Sequence, residues 1–221
     1  MTAAEWEASH DPDKMLSAAG KRLSDRSLLL FACGAARRVS DLLPEFAATL
    51  LPRVEDAADL PPVERANALR AAFESIEGMT GIFARGFLPL DRLAVAVQHA
   101  ATTLRMLELR RSAPPRTLVG RAFSLLESIN LVHLPSPEQA AILRCVAGNP
   151  FVKTKFKPVW RTSDVLALAR AADGEHAFDN FPILADALQD AGCGDEMLLN
   201  HLRNDTLHVR GCRALDRILG K

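Results

Sequence analysis

Apolar residues recur along most of this chain at three- and four-residue spacing, the mark of helices that bury one face. Strand signals are scarce, because tyrosine is absent and the β-branched residues are scattered among Ala, Leu, Arg and Glu. The pattern predicts an all-α protein, a multi-helix bundle or irregular helical-hairpin array of about ten helices. Asp11-Pro12 opens a short helix through Met15 and Leu16 that Gly20 closes. Ser24 and Asp25 cap a longer one, with Leu28, Phe31, Ala32, Ala35, Val39 and Leu42 on one face and Pro44 at its end. Glu45 to Ala58 reads as a helix kinked at Pro52, and Pro61-Pro62 starts another that runs to about Glu77. Residues 78–89 read as a loop. Asp91 to Arg111 is the longest uninterrupted helical pattern, and helices follow at Leu118 to Ile129 and Pro137 to Ala147, before Gly148-Asn149-Pro150 stops the pattern.

Residues 151–162 alternate apolar and basic side chains, so a short extended segment near 151–160 is the one expected departure from helix. A helix then begins at Thr162 and Asp164 and ends near Ala172. Pro182 fits the first turn of the next, with Asp179 or Asn180 as cap; Ile183, Leu184, Ala187, Leu188 and Ala191 form its stripe and Gly192 its left-handed end. Asp195 is placed to cap a short helix through His201. A last helix, expected to start near His208, carries Val209, Cys212, Leu215 and Ile218.

The 221 residues are enough for a substantial core, and a single helical domain over 1–221 is expected. Lys plus Arg equals Asp plus Glu at 27 each, which removes any bulk attraction for nucleic acid or acidic lipid. Glu5 and Glu7 stand where a secretory leader would carry positive charge, and the longest apolar run, Leu28 to Cys33, is far short of the ~20 residues of a spanning helix. No membrane segment is expected and the compartment reads as cytoplasmic. Cysteines at 33, 145, 193 and 212 are too sparse for a disulfide framework and should be reduced.

Several stretches carry a likeness. They are Trp6, Asp11-Pro12, Met15-Leu16 and S-D-R-S-L-L-L-F-A-C-G-A-A-R-R at Ser24 to Arg38, then G-N-P-F at Gly148 to Phe151 and Trp160-Arg161-Thr162. P-I-L-A-D-A-L, D-A-G-C, H-V-R-G-C and the closing L-G-K complete the set. The chain resembles a paralogous family of uncharacterised bacterial proteins with an N-terminal SDR-x-L-x-LFAC segment and a C-terminal LADAL-x-DAGC…HVRGC segment. The likeness covers 1–43 and 148–221 and leaves 44–146 as a variable middle. It implies a bacterial protein and no particular activity. Members of that family follow H-V-R-G-C with tryptophan, where this chain has Arg213, and show a richer cysteine cluster at the position of Cys33-Gly34-Ala35-Ala36.

The sharpest chemistry is in the tail. Cys193, His201, His208 and Cys212 give C-x7-H-x6-H-x3-C, with His208 and Cys212 expected on one helical face; two thiolates and two imidazoles would suit structural zinc, the one cofactor the sequence suggests. The bland alternative makes the cysteines core fillers and the histidines a cap and a surface residue. Cys212 as a nucleophile activated by His208, with Asp205 or Asp216 orienting it, is a second reading, and Asp186 with Asp190 as a carboxylate pair is a third. Lys153, Lys155, Lys157 and Arg161 interleave with Phe156 and Trp160, a pattern that suits phosphate contact and base stacking, and Arg105, Arg110, Arg111, Arg116 and Arg121 make a second basic region. In a neutral chain solvated loop and helix faces are the favoured explanation of both. Phosphate-loop, dinucleotide, nucleophile-elbow and H-E-x-x-H motifs are absent. By elimination the expected role is a protein-interaction or regulatory module with an unidentified protein partner. The alternatives are a metal- or thiol-dependent enzyme on the C-terminal cluster and, third, a nucleic-acid-binding module.

Overall fold

A computed structural model of the chain describes residues 1–38, 45–69, 71, 134–153, 155–204 and 207–221. The protein is all-α, and among the described residues there is no strand. Packing groups the chain into two compact units, residues 1–9 with 141–221 and residues 10–140. The helices expected at 91–111 and 118–129, the loop at 78–89, the second basic region and Asp205 lie outside the described residues.

In the 10–140 unit the capping signals act as expected. The Asp11 carboxylate accepts from the Lys14 N–H and starts the helix Pro12–Ala19, while Ser24 Oγ accepts from the Ser27 N–H ahead of the helix Asp25–Arg38. That helix buries Leu28, Leu29, Leu30, Phe31 and Ala35 and packs against the helix Glu45–Ala58, which continues through Pro52. Burying a leucine or phenylalanine side chain contributes ~1.5–3 kcal/mol, so this apolar stripe is what fixes the pair. Ion pairs between Arg26 and Asp59, at 2.7 Å, and between Arg37 and Glu55 close its two edges.

The other unit begins with the helix Ala3–Ala8, held by reciprocal Thr2 and Glu5 hydrogen bonds, whose Trp6 is fully buried 5.9 Å from the Phe151 ring. After the helix Ser136–Ala147 the described residues form no helix or strand until a 3-10 turn at Pro158–Trp160, and Lys157 just ahead of it has extended backbone. Aromatic packing holds the turn: Trp160 is buried edge-on against Phe156, with ring centroids 5.3 Å apart, and the Arg161 guanidinium lies over the Phe156 ring. Thr162 then caps the helix Ser163–Glu175.

The helix Phe181–Asp190 packs against both Ser163–Glu175 and the helix Glu196–Asn204, and Ser163–Glu175 also packs against the helix Arg213–Leu219. Phe181, Leu184, Leu188, Leu202 and Ile218 form its centre, each 1 % exposed or less. Pro182 stands in the first turn, although the Asn180 side chain makes no capping bond. At the other end Gly192 adopts φ 80°, its N–H donates to Gln189 O, and the Cys193 N–H donates to Leu188 O, a paired closure that satisfies the last carbonyls. Asp195 Oδ1 then accepts from the Leu198 N–H and starts the next helix.

The last helix differs from expectation. It starts at Arg213, not near His208, and Cys212 is its N-cap. Gly211, at φ 83°, sits in a turn in which the Cys212 N–H donates to Val209 O. His208 and Cys212 are therefore brought near each other by this bend and not by the pitch of a helix.

Candidate metal centre

Four side chains converge in the 1–9/141–221 unit: Cys145, His201, His208 and Cys212 each offer an atom, and these atoms all lie within 4.8 Å of one another. Cys145 comes from the last turns of Ser136–Ala147, and His201 from the middle of Glu196–Asn204. His208 stands in the irregular 207–209 stretch, and Cys212 caps the final helix. His201 Nε2 is 3.2 Å from Cys212 Sγ, and Cys145 Sγ is 3.9 Å from His208 Nδ1. Tetrahedral zinc with bonds of ~2.3 Å to sulfur and ~2.0 Å to nitrogen separates its ligand atoms by ~3.3–3.8 Å. The set is thus near the required spacing before any adjustment of rotamers.

Packing orients the imidazoles. The His208 ring lies 4.5 Å from the Phe181 ring and 6.2 Å from that of Phe178, and meets the His201 ring at 4.9 Å and 87°. Its Nε2 is buried with no hydrogen-bond partner. A polar atom left so costs ~1–3 kcal/mol.

Electrostatics favour a metal-ready sulfur. Complete burial opposes a thiolate at Cys212, yet hydrogen bonds from Cys145, His201 and His208 outweigh it and hold the Cys212 thiol well below its usual range. The thiolate is the form that binds zinc. Two thiolates, two neutral imidazoles and no carboxylate make a donor set that fits zinc and leaves no position open for water.

Cys193, the fourth ligand the tail spacing suggested, is not in the group. Its thiol is buried past the end of Phe181–Asp190, where burial raises its pKa, with Asp195, Arg217 and Lys157 as the charges nearby. Cys145 takes its place, and sequence spacing had no means of finding it. It sits among Ile142, Leu143 and Val146 in a run that reads as ordinary apolar core, and only tertiary packing carries it to the tail. The other three, His201, His208 and Cys212, do meet.

The remaining candidates are placed as follows. Cys212 is 0 % exposed, which deprives a nucleophile of access to substrate, and Asp216 is buried on the final helix. Asp186 pairs with Arg203 at 2.7 Å and Asp190 is exposed, so these carboxylates line a solvated face. Lys153, Lys155 and Lys157 are exposed, but Trp160 is committed to the core. Arg161 donates from Nε to Ile218 O at 2.8 Å and from Nη2 to Arg217 O at 3.0 Å. The basic segment therefore ties the final helix to the unit and leaves little aromatic surface for stacking on bases.

A cavity of about 310 Å³ adjoins the cluster, and Cys145 and His201 are among its walls. Among the described residues no helix is long and apolar enough to cross a membrane. No family model, curated protein or solved structure matches the chain.

Proposed function

We propose that the protein is a non-catalytic helical module of the bacterial cytoplasm. A structural zinc ion on Cys145, His201, His208 and Cys212 clamps its C-terminal unit, and it acts by contact with a protein partner. The convergence of four soft donor atoms within 4.8 Å carries the reading, since they come from separate elements that no local motif brings together. Four protein ligands close a tetrahedral sphere, which favours a structural over a catalytic ion. The four free cysteines, all buried, suit a reducing compartment. The family resemblance belongs to the same reading: His201, His208 and Cys212 fall in the 148–221 stretch that carries it.

The test is metal analysis of protein purified without chelator, followed by cobalt substitution. One zinc per chain, and cobalt absorption with thiolate charge-transfer bands that Cys145→Ala abolishes, is the expected result. Protein free of metal that refuses cobalt would refute it. The rival reading, a metal- or thiol-dependent enzyme on the same cluster, draws on the cavity beside Cys145 and His201. It requires the cobalt spectrum to change when small anionic ligands are added, because an ion that does chemistry keeps an exchangeable position.

A further inference from the structure

The same cavity has a second character that the metal does not explain. Three arginines, Arg144, Arg213 and Arg217, line it against a single carboxylate, Glu7. The chain as a whole has no net charge, so this concentration of guanidinium groups is local and is no by-product of composition. Zinc bound by two thiolates and two neutral imidazoles would add nothing to it, because the charges of the ion and the two sulfurs cancel.

Two of the arginines are held in place. Arg144 Nη1 donates to Ser9 O at 2.7 Å, and Arg217 Nη2 reaches Asp195 Oδ2 at 3.2 Å. Each contact uses one of five N–H donors, so both keep donors for a ligand. Arg213 lies with its stem against Gly148, where a Cβ at residue 148 would come within 3.1 Å of Arg213 Cγ; it is exposed and makes no ion pair among the described residues. Glu7 is occupied in accepting the Asn149 amide at 2.8 Å. Asn200 supplies a further amide to the wall.

From this arrangement we infer a binding site for a small phosphate-bearing ligand, a phosphate monoester held by Arg144, Arg213 and Arg217 in the cavity beside Cys145 and His201. Guanidinium forks bind phosphate and carboxylate through paired, charge-assisted hydrogen bonds. The cavity is at the small end of the ~300–1,000 Å³ range of ligand sites, which suits a metabolite. Phosphate also presents more acceptor oxygens to three guanidinium forks than a carboxylate does.

Titration calorimetry of the zinc-loaded full chain with inorganic phosphate, and separately with malonate, at ~0.15 M salt tests the site. Saturable one-site binding of phosphate, tighter than that of malonate, is expected. Arg213→Gln should weaken it by about tenfold or more, the loss of one charge-assisted contact. Glu7→Gln should tighten it, since it removes the opposing charge and keeps an acceptor for Asn149. No saturable binding of either anion overturns the inference, as does an Arg213→Gln protein that binds as well as the parent. Malonate binding more tightly than phosphate overturns the assignment to phosphate. Zinc content measured on the same samples separates this outcome from the metal reading: a chain that keeps its zinc and binds no phosphate loses only the site, and one that binds phosphate without zinc loses only the clamp.

Discussion

The helix pair Asp25–Arg38 with Glu45–Ala58 and the Cys145/His201/His208/Cys212 cluster each bury polar groups, and they settle the cost differently. Glu55 is 1 % exposed, and Arg37 meets its two carboxylate oxygens with Nε at 2.5 Å and Nη2 at 2.6 Å. That hydrogen bond, ahead of the opposing burial, raises the Arg37 pKa and keeps the pair charged. In the cluster His208 Nε2 is buried without a hydrogen-bond partner, and hydrogen bonds from Cys145, His201 and His208 hold the Cys212 thiol below its usual range against the burial that opposes them. One region answers a buried charge with an ion pair; the other gathers two thiols and two imidazoles, the set on which the proposed zinc site rests.

Removing the proposed ion with a chelator is the strongest way to break this contrast. Structural zinc carries an apparent ~10–16 kcal/mol in small zinc-dependent folds, so chelation should unfold or loosen the cluster's unit by several kcal/mol. Hydrogen exchange should rise across Glu196–Asn204 and Arg213–Leu219 and stay unchanged across Asp25–Arg38. Equal loosening of both regions would erase the distinction.

Next in size is Arg37→Ala, which leaves a buried carboxylate without its main partner. We expect a loss of ~2–4 kcal/mol by denaturant unfolding, with zinc content unaltered. Cys193→Ala sharpens the ligand assignment. It should cost ~1 kcal/mol by removing a buried sulfur and leave one zinc per chain, whereas Cys145→Ala should abolish binding.

The smallest expected effect concerns protons. Hydrogen bonds hold the Cys212 thiol below its usual range against the burial that opposes them, so proton release on zinc binding should begin to fall at a lower pH than for ordinary cysteines, as read by calorimetry in buffers of different ionisation enthalpy. The folded thiol of Cys212 lies below its unfolded value, so it contributes stability to the metal-free protein above the unfolded pKa. That contribution is lost as pH falls through the folded pKa. A Cys212→Ser chain should lack that part of the acid dependence.

Much of the helical frame was legible because it is written locally. Asp11 before Pro12, Thr162 before Ser163, Gly192 after the 181–190 helix and Asp195 before the next all act within a few residues of where they stand. The last helix was misplaced because Val209 and Cys212 continue its apolar spacing, while Gly211 turns the chain between them. The alternation of the basic segment says nothing of the carbonyls that Arg161 meets, so its tie to the final helix was not legible. The cluster was three-quarters visible for the same reason: His201, His208 and Cys212 are near in sequence, whereas Cys145 arrives by packing alone.

That long separation has a consequence of its own. On the proposed zinc reading, a bond through the ion from Cys145 to Cys212 would close a loop of about 70 residues, and a covalent tie of that span would reduce the entropy of the unfolded chain by an amount worth ~4 kcal/mol. A metal clasp gives the same restraint without an oxidised bond. It can be set in a compartment that reduces disulfides, and it can be released by a competing chelator at neutral pH with every sulfur still intact.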